Sequence, residues 1–311
     1  MTTVDDATTT LLDAIFGLER GDRLVLVADP GKRALAAALE APCAARGVAF
    51  EAVELASEEA YELPGPVAAA VAGATAALIA TRRSYTHTDG VRRAVAGGAR
   101  VATNAGLSEA QLLAGLAVDP SAVADRAVRY AALLGPAHHV TIVSGDGAEL
   151  SFTVAHQRAF AETGVYRTPG DLGNLPAGEA ACGIDDGTGE GVLVVDGSWP
   201  GLGVLDAPLE LRIAAGAVVE VRGARAAELE ALLDRHGPAA RRLAELGLGM
   251  NPAFDLQGVT LLDEKIAGTI HVAVGNDVSF GGSNDVGYHA DGVVRSPRLL
   301  LDGRAVDLPT R

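Results

Sequence analysis

The sequence predicts an α/β fold in which an open parallel α/β domain is followed by a mixed α+β domain. A chain of 311 residues is long for one hydrophobic core and suits two. In its first part, strand patterns alternate with helical patterns, which is typical of a parallel sheet with helical crossovers. After Gly135 and Pro136 the pattern changes to short strands separated by turns. We therefore expect a Rossmann-like domain over residues 1–136 and a second domain over residues 137–311.

The N-terminal elements follow from apolar periodicity and turn residues. A helix is expected over residues 8–18, then a strand over 23–28, a helix over 31–46 and a strand over 49–55. Strand, helix and strand in this order form a βαβ unit with a right-handed crossover. The same alternation predicts helix 66–72, strand 76–80, helix 88–96, strand 100–103 and helix 108–113. Ser108 is the expected N-cap of the last helix.

The second half predicts hairpins, helices and short strands. One hairpin turns at residues 144–147, and another, over residues 209–223, turns at Ala215 and Gly216. Further ordered segments are expected at 174–184 and 192–199, with helices over 226–235 and 238–246 and a strand over 268–275. Glu245 would then lie at the end of a helix.

The charge of the chain excludes several classes of partner. Its formal net charge is −15 and its pI is about 4.8, so a nucleic-acid backbone or an anionic membrane would repel it. No segment approaches the roughly 18 apolar residues of a membrane span, and Asp5 and Asp6 stand where a secretory signal needs basic residues. We expect a cytoplasmic protein that acts on a small molecule or a short peptide. Cys43 and Cys182 are then free buried thiols.

Four potential metal ligands lie close together near the end of the sequence: Glu245, His271, His289 and Asp291. One residue separates His289 from Asp291, so an extended segment places both side chains on one face. Imidazole and carboxylate together suit zinc, cobalt, manganese or iron(II). His271 lies in a predicted strand, where on its own it would be a hydrogen-bonded core histidine.

Other polar positions are open to two interpretations. Glu179 follows a Pro-Ala-Gly turn that can fix a carboxylate in a cleft, although a glutamate after a turn is usually exposed. Arg82, Ser84 and His87 follow a predicted strand, where open α/β sheets bind ligands. Their loop is either part of a substrate site or a solvated connection. The DPGKR segment at residues 29–33 lacks the spacing of a phosphate-binding loop, so no nucleotide cofactor is expected.

Five motifs in the second half resemble one family. They are NLPAGE at 174–179, AELGLGMNP at 244–252, DEKIAGTIHVAVG at 263–275, Gly-Gly at 281–282 and the HxD pair at 289–291. In this order they resemble the thermophilic-type metallo-aminopeptidases, the aminopeptidase T or S group. The first domain agrees in its βαβ layout and in its SxTHT and GAR segments. The resemblance implies a metal-dependent hydrolase that acts on an amide or N-terminal peptide bond.

The resemblance also implies the ligands of the site. In that family the counterparts of Glu179, Glu245, His271, His289 and Asp291 bind two divalent ions, here zinc, cobalt or manganese. Water bound to the ions would be deprotonated near neutral pH and would attack a carbonyl.

Further roles follow from the same resemblance. Glu264 becomes a candidate proton shuttle, and Tyr288 is the phenol nearest to the family's active-site tyrosine. Arg82, Ser84 and His87 become candidate substrate contacts, and the family implies a homodimer.

A second branch of the same superfamily provides an alternative function. It contains mononuclear non-haem iron(II) dioxygenases that open dihydroxypyridine rings with two histidines and one aspartate. In this chain, iron(II) chemistry of that kind would use His271, His289 and Asp291. That branch has a histidine where this chain has Glu245, and it lacks counterparts of Glu179 and His271. The sequence therefore favours the hydrolase. A non-catalytic binding protein is the third possibility, because the family's tyrosine has no direct match.

Overall fold

The computed structural model describes residues 4–55, 61–154 and 158–310, which group into two units. The first unit is Met1–Ala124 with Thr163–Ala177, and the second is Asp125–Glu162 with Gly178–Arg311. The domain boundary at residues 136/137 stays a prediction. The two units are divided differently from the predicted domains: residues 125–136 group with the second half of the chain, and residues 163–177 group with the first half.

The first unit contains a five-stranded parallel sheet. Its strands, numbered along the whole chain, are β1 (Arg23–Ala28), β2 (Ala49–Glu54), β3 (Ala76–Thr81), β4 (Arg100–Ala105) and β8 (Leu172–Asn174). Their order is β2-β1-β3-β4-β8, and every neighbouring pair is parallel. The predicted alternation of strands and helices is confirmed. Strand β8 was not predicted and adds an edge to this sheet.

This sheet is buried on both faces. Leu24 and Leu26 of β1 belong to one apolar cluster, and Val25 and Val27 belong to another. A parallel sheet covered by helices on both faces requires apolar residues at consecutive positions. The continuous LVLVA run at residues 24–28 therefore reflects the position of β1 inside the sheet.

Within the described residues, the first unit has five α-helices: α1 (Val4–Thr9), α2 (Arg33–Arg46), α3 (Gly65–Ala72), α4 (Asp89–Ala96) and α5 (Glu109–Leu116). Helix α1 continues as a π-helical turn over Thr10–Ile15. Ser108 is the N-cap of α5, as predicted. Its Oγ accepts from the Gln111 N–H at 3.3 Å, while Gln111 Oε1 accepts from the Ser108 N–H at 2.9 Å. This capping box satisfies donors that the helix leaves unpaired.

The second unit contains two antiparallel sheets and a short ribbon. The larger sheet has the order β14 (Ala217–Arg222), β13 (Leu209–Ala214), β10 (Glu190–Val195), β6 (Ala148–Thr153), β5 (His139–Ser144), β18 (Arg298–Leu301) and β19 (Arg304–Val306). The other sheet has the order β17 (His289–Val294), β16 (Ile270–Gly275), β15 (Leu243–Gly249), β9 (Glu179–Gly183) and β7 (Phe160–Glu162). The ribbon pairs β11 (Ser198–Trp199) with β12 (Gly203–Val204). Both predicted hairpins, β5–β6 and β13–β14, are confirmed.

Helix α6 (Pro120–Leu134) is missed by the sequence analysis. Its residues Ala127, Tyr130 and Leu134 are buried in the core of the second unit and recur at intervals of three and four. This helical periodicity was the available signal. Helix α7 (Ala226–His236) matches its prediction, and a short helix, α8, covers Thr260–Asp263.

The predicted helix over residues 238–246 is wrong. A 3₁₀ turn covers Pro238–Arg241, and the chain then enters β15, in which every residue is buried. Strand β15 pairs with β9 on one side and β16 on the other. Alanine, glutamate and leucine favour helices locally, but a central position between two strands outweighs that preference. Glu245 therefore lies within a strand.

The thiol prediction is confirmed, since Cys43 and Cys182 are both buried and free. Among the residues that the structure describes, no helix has the length and apolar character needed to cross a membrane. The cytoplasmic location stays a prediction.

Together the two units confirm the predicted fold class. The first has parallel strands with intervening helices, and the second has mainly antiparallel sheets with a few helices.

Candidate metal centre

Four adjacent strands carry the five predicted ligands. In the order β9, β15, β16 and β17 the strands carry Glu179, Glu245, His271, and the pair His289 and Asp291. Gly247 pairs with His271, and Ala273 pairs with both Glu245 and Asp291. Paired residues in neighbouring strands share a face of the sheet, as do alternate residues along one strand. The five side chains therefore project from one face, and Gly247 and Ala273 leave space between them.

The ligand atoms lie as close together as the ligands of one ion. His271 Nε2 is 3.0 Å from Glu179 Oε1, 3.8 Å from Glu245 Oε1 and 4.0 Å from Asp291 Oδ1. His289 Nε2 is 3.2 Å from Glu245 Oε2 and 3.4 Å from Asp291 Oδ1. Octahedral ligands with bonds of about 2.1 Å are about 3.0 Å apart when adjacent and about 4.2 Å apart when opposite. All five distances fall within this range.

Glu245 belongs to two overlapping groups of potential ligands. One group is Glu179, Glu245 and His271, and the other is Glu245, His289 and Asp291. Within each group the ligand atoms all lie within 4.8 Å of one another. Because its Oε1 faces His271 and its Oε2 faces His289, Glu245 can bridge two ions or give one oxygen to a single ion.

The candidate ligands differ in burial. Glu179, Glu245, His271 and Asp291 are buried, whereas the His289 side chain is 31% exposed. Buried carboxylates are costly unless cations balance them, so the three carboxylates need positive charge nearby. The partly exposed His289 marks the side of the centre that is open to solvent.

The orientation of His289 is fixed by its neighbours. Its Nδ1 lies 2.7 Å from the backbone oxygen of Asn276, and the ring of Phe280 stacks on the imidazole with centroids 5.8 Å apart. A backbone acceptor at Nδ1 selects the tautomer whose Nε2 is free to bind a metal ion. His271 Nδ1 has no hydrogen-bond partner within the described part of the chain, and its polar contacts are made through Nε2.

Gly247 provides the space at the centre. A Cβ atom at this position would lie 2.0 Å from His271 Nε2 and 2.7 Å from Glu179 Oε1. Any side chain at position 247 would therefore occupy the place where the ligand atoms converge. Two imidazoles and three carboxylates around this opening are a donor set that fits a divalent ion such as zinc, manganese or iron(II).

The carboxylates strongly perturb both imidazoles. Burial alone would lower the pKa of His271, but Glu179, Glu245 and Asp291 outweigh burial and hold that pKa well above its ordinary value. Burial likewise opposes protonation of His289, but Asp291 and Glu245 raise its pKa to about 11. Without a metal ion the carboxylates therefore favour the protonated form of both rings.

Metal binding is expected to release protons and to strengthen as the pH rises. A ligating imidazole nitrogen must lose its proton, so affinity should increase by up to about tenfold per pH unit for each proton displaced. Titration calorimetry with Mn²⁺ at pH 6.5 and 7.5, in buffers of different ionisation enthalpy, measures both quantities. An affinity that does not change with pH would remove the histidines from the ligand set.

The predicted proton shuttle lies in a carboxylate cluster around Lys265. Glu264 Oε1 is 3.0 Å from Lys265 Nζ, which also contacts Glu162 and Glu179. Burial raises the pKa of Glu264 to about 8; Lys265 opposes this rise, and Asp291 and Glu179 add to it. Glu264 can therefore exchange a proton near neutral pH. The sequence predicts no role for Lys265 or Glu162, although a lysine directly before the mainly apolar segment at 266–274 is a visible signal.

The lysine itself stays charged. Burial would lower the pKa of its ammonium, but Glu162, Glu179 and Glu264 hold that pKa well above its ordinary value.

Tyr288 makes its contacts away from the ligands. Its hydroxyl accepts a hydrogen bond from Trp199 Nε1 at 3.3 Å, and its ring stacks on His236 with centroids 4.7 Å apart. Tyr288 precedes β17, whose first residue, His289, points toward the candidate centre. The catalytic role of Tyr288 stays a prediction.

The three predicted substrate contacts lie in the first unit. Arg82, Ser84 and His87 are exposed in the loop that follows β3. Ser84 Oγ is 3.0 Å from Thr86 Oγ1, which is 2.7 Å from Thr103 Oγ1. Their role in binding a substrate stays a prediction.

A comparison with protein families identifies the family of this chain. The model described as "NicX: 2,5-dihydroxypyridine 5,6-dioxygenase" matches residues 22–307. The chain belongs to the NicX family. A comparison of this NicX-family protein with curated proteins gives no match.

Two solved structures resemble the fold of this NicX-family protein. The 2,5-dihydroxypyridine dioxygenase from Pseudomonas putida KT2440 has a TM-score of 0.81 at 16% sequence identity, over 99% of this chain and 97% of that chain. Wild-type AmpT from Thermus thermophilus has a TM-score of 0.66 at 18% identity, over 97% of this chain and 99% of that chain. The predicted resemblance is confirmed: the chain belongs to the dihydroxypyridine dioxygenase family, and it shares its fold with an aminopeptidase of the AmpT type. The family description favours the dioxygenase, and the likeness to the aminopeptidase is one of fold.

Proposed function

We propose that this protein is a non-haem iron(II) dioxygenase that opens the ring of a hydroxylated pyridine. The supporting observation is that both imidazoles reach one carboxylate oxygen. Asp291 Oδ1 lies 4.0 Å from His271 Nε2 and 3.4 Å from His289 Nε2. Two histidines and one carboxylate that leave other positions open are the usual ligands of iron(II) in oxygenases. Membership of the NicX family supports the same chemistry.

Each residue of the centre then has a defined task. His271, His289 and Asp291 hold the ion, and Glu245 is close enough to both histidines to contribute an oxygen. Bound iron(II) supplies positions for dioxygen and for a hydroxylated substrate. Glu264, whose pKa is about 8, takes up or gives back the proton of a substrate hydroxyl.

Oxygen uptake tests this proposal. The protein is loaded with Fe²⁺ without air and mixed with 2,5-dihydroxypyridine in aerated buffer. We expect one dioxygen consumed per substrate, loss of the ring absorbance and a product heavier by two oxygen atoms. The His289→Ala variant should lose this turnover, and Glu210→Ala, an exposed strand residue, should retain it. The proposal is wrong if the iron-loaded protein consumes no oxygen with a panel of dihydroxypyridines.

A two-metal hydrolase is the second candidate, and Glu245 is the observation that favours it. Its two oxygens face different histidines, as a carboxylate that bridges two ions would require. This candidate predicts that protein loaded with Zn²⁺, Co²⁺ or Mn²⁺ releases p-nitroaniline from aminoacyl p-nitroanilides. Metal binding without turnover in either assay would instead favour the non-catalytic binding protein.

The assembly state is a separate proposal. The homodimer that the family resemblance implies is tested by light scattering on the purified protein, where a mass near 63 kDa, twice the 31.6 kDa of one chain, is expected. A mass near that of one chain would contradict it.

A further inference from the structure

Lys265 places a fixed positive charge beside the candidate metal centre. Its side chain is 2% exposed, and its ammonium contacts Glu162, Glu179 and Glu264. Glu179 Oε2 accepts a hydrogen bond from this ammonium, and Glu162 and Glu264 lie within ion-pair distance of it. A buried lysine is stable only when it is paired in this way. The ammonium is therefore part of the built site.

We propose that Lys265 takes the place of a second metal ion and thereby limits each chain to one divalent ion. The proposal rests on the mononuclear iron function above. It assigns a role to a residue that is not a ligand, and it explains how a chain with five potential ligands binds a single ion.

Glu179 connects the ammonium of Lys265 with the imidazole of His271. Lys265 Nζ contacts Glu179 Oε2, and His271 Nε2 lies 3.0 Å from Glu179 Oε1. A second ion would have to bind the group Glu179, Glu245 and His271. It would then lie on Glu179 Oε1, separated from the ammonium by one carboxylate group. Cations at such short range repel each other strongly in a buried site.

The second group of potential ligands differs from the first in its relation to Lys265. Glu245, His289 and Asp291 form the second group, and the ion pairs of Lys265 within the described residues do not include them. His271 Nε2 lies 3.8 Å from Glu245 and 4.0 Å from Asp291, close enough to join an ion bound there. A single ion therefore prefers this side, and Glu179 serves to hold His271 and Lys265 in place.

The number of bound ions tests the proposal directly. Mn²⁺ is titrated into wild-type protein, Lys265→Met and Lys265→Arg, followed by calorimetry and by metal analysis after gel filtration. Wild type and Lys265→Arg, which keeps the charge, should bind one ion per chain. Lys265→Met, which removes the charge but keeps much of the volume, should bind two. A purely structural role for Lys265 predicts no gain of an ion.

Either of two results overturns the proposal: two ions of similar affinity in the wild type, or a folded Lys265→Met variant that still binds one. Should Lys265→Met fail to fold, the wild-type titration alone decides, up to Mn²⁺ about 100 times above the first dissociation constant. A different result would refute the proposed dioxygenase reaction. A wild-type protein that binds one ion but consumes no oxygen refutes the dioxygenase and leaves the role of Lys265 intact.

Discussion

Replacing Gly247 with alanine is expected to abolish metal binding while the sheet remains folded. The new methyl group would lie 2.0 Å from His271 Nε2 and 2.7 Å from Glu179 Oε1, so the imidazole would have to move out of the centre. Overpacking of this kind costs about 1–3 kcal/mol of folding free energy, which a domain of this size tolerates. The loss of affinity should be at least about 100-fold, because even residues that only support ligands contribute 10–100-fold.

Calorimetric titration with Mn²⁺, alongside a circular dichroism spectrum, measures this effect. Gly287→Ala is the matched control, since a Cβ there meets no atom within 4 Å and its backbone angles do not require glycine. The control should bind metal like the wild type. Unchanged affinity in Gly247→Ala would show that the ion binds somewhere other than among His271, Glu179 and their neighbours.

Removing Glu245 is expected to have the second large effect. Its two oxygens lie 3.8 Å from His271 Nε2 and 3.2 Å from His289 Nε2, so it takes part in both groups of potential ligands. In Glu245→Ala we expect at least about 100-fold weaker metal binding and loss of metal-dependent turnover. Glu245→Gln separates charge from shape, because the amide keeps the volume but loses the negative charge, and it should bind metal with intermediate affinity.

The readouts are metal content after purification without chelator and turnover at a fixed metal concentration. Glu210→Ala, which removes an exposed strand carboxylate, serves as the control. If Glu245→Ala retains wild-type metal content and rate, Glu245 is not a ligand, and the ion is held by His271, His289 and Asp291 alone.

Much of this architecture was predictable, because local patterns and tertiary structure agree. The HxD spacing predicted that His289 and Asp291 share a face, and β17 is extended as required. His271 was predicted in a strand for the same reason, an apolar run bounded by glycines.

Where local preference and tertiary position conflict, the prediction failed. Residues 243–249 contain good helix formers, yet they form the central strand of a sheet, because β9 and β16 satisfy their backbone groups on both sides. Gly247 and Gly249 were the overlooked signals, since glycines two residues apart suit a strand approached closely on one face. In β15 a Cβ at Gly249 would lie 2.0 Å from the backbone oxygen of Ile266.

The long-range contacts of the site lay beyond local patterns. The family resemblance predicts Glu179 as a ligand, whereas its position after a turn predicts an exposed carboxylate. It is buried because Lys265, 86 residues later, neutralises it. Nothing near either residue in sequence announces the pairing. The choice of reaction depended on a single position, Glu245, whereas the family comparison rests on nearly the whole chain and favours oxygen chemistry.

Anomalous diffraction from iron-loaded crystals tests the mononuclear iron centre, because it locates the ion without reference to activity. We expect one strong iron peak per chain on the face of β15, β16 and β17, within about 2.0–2.2 Å of His271 Nε2, His289 Nε2 and Asp291 Oδ1. An iron-loaded crystal with no peak among these atoms, or with its peak elsewhere in the chain, would refute a metal centre formed by these three residues.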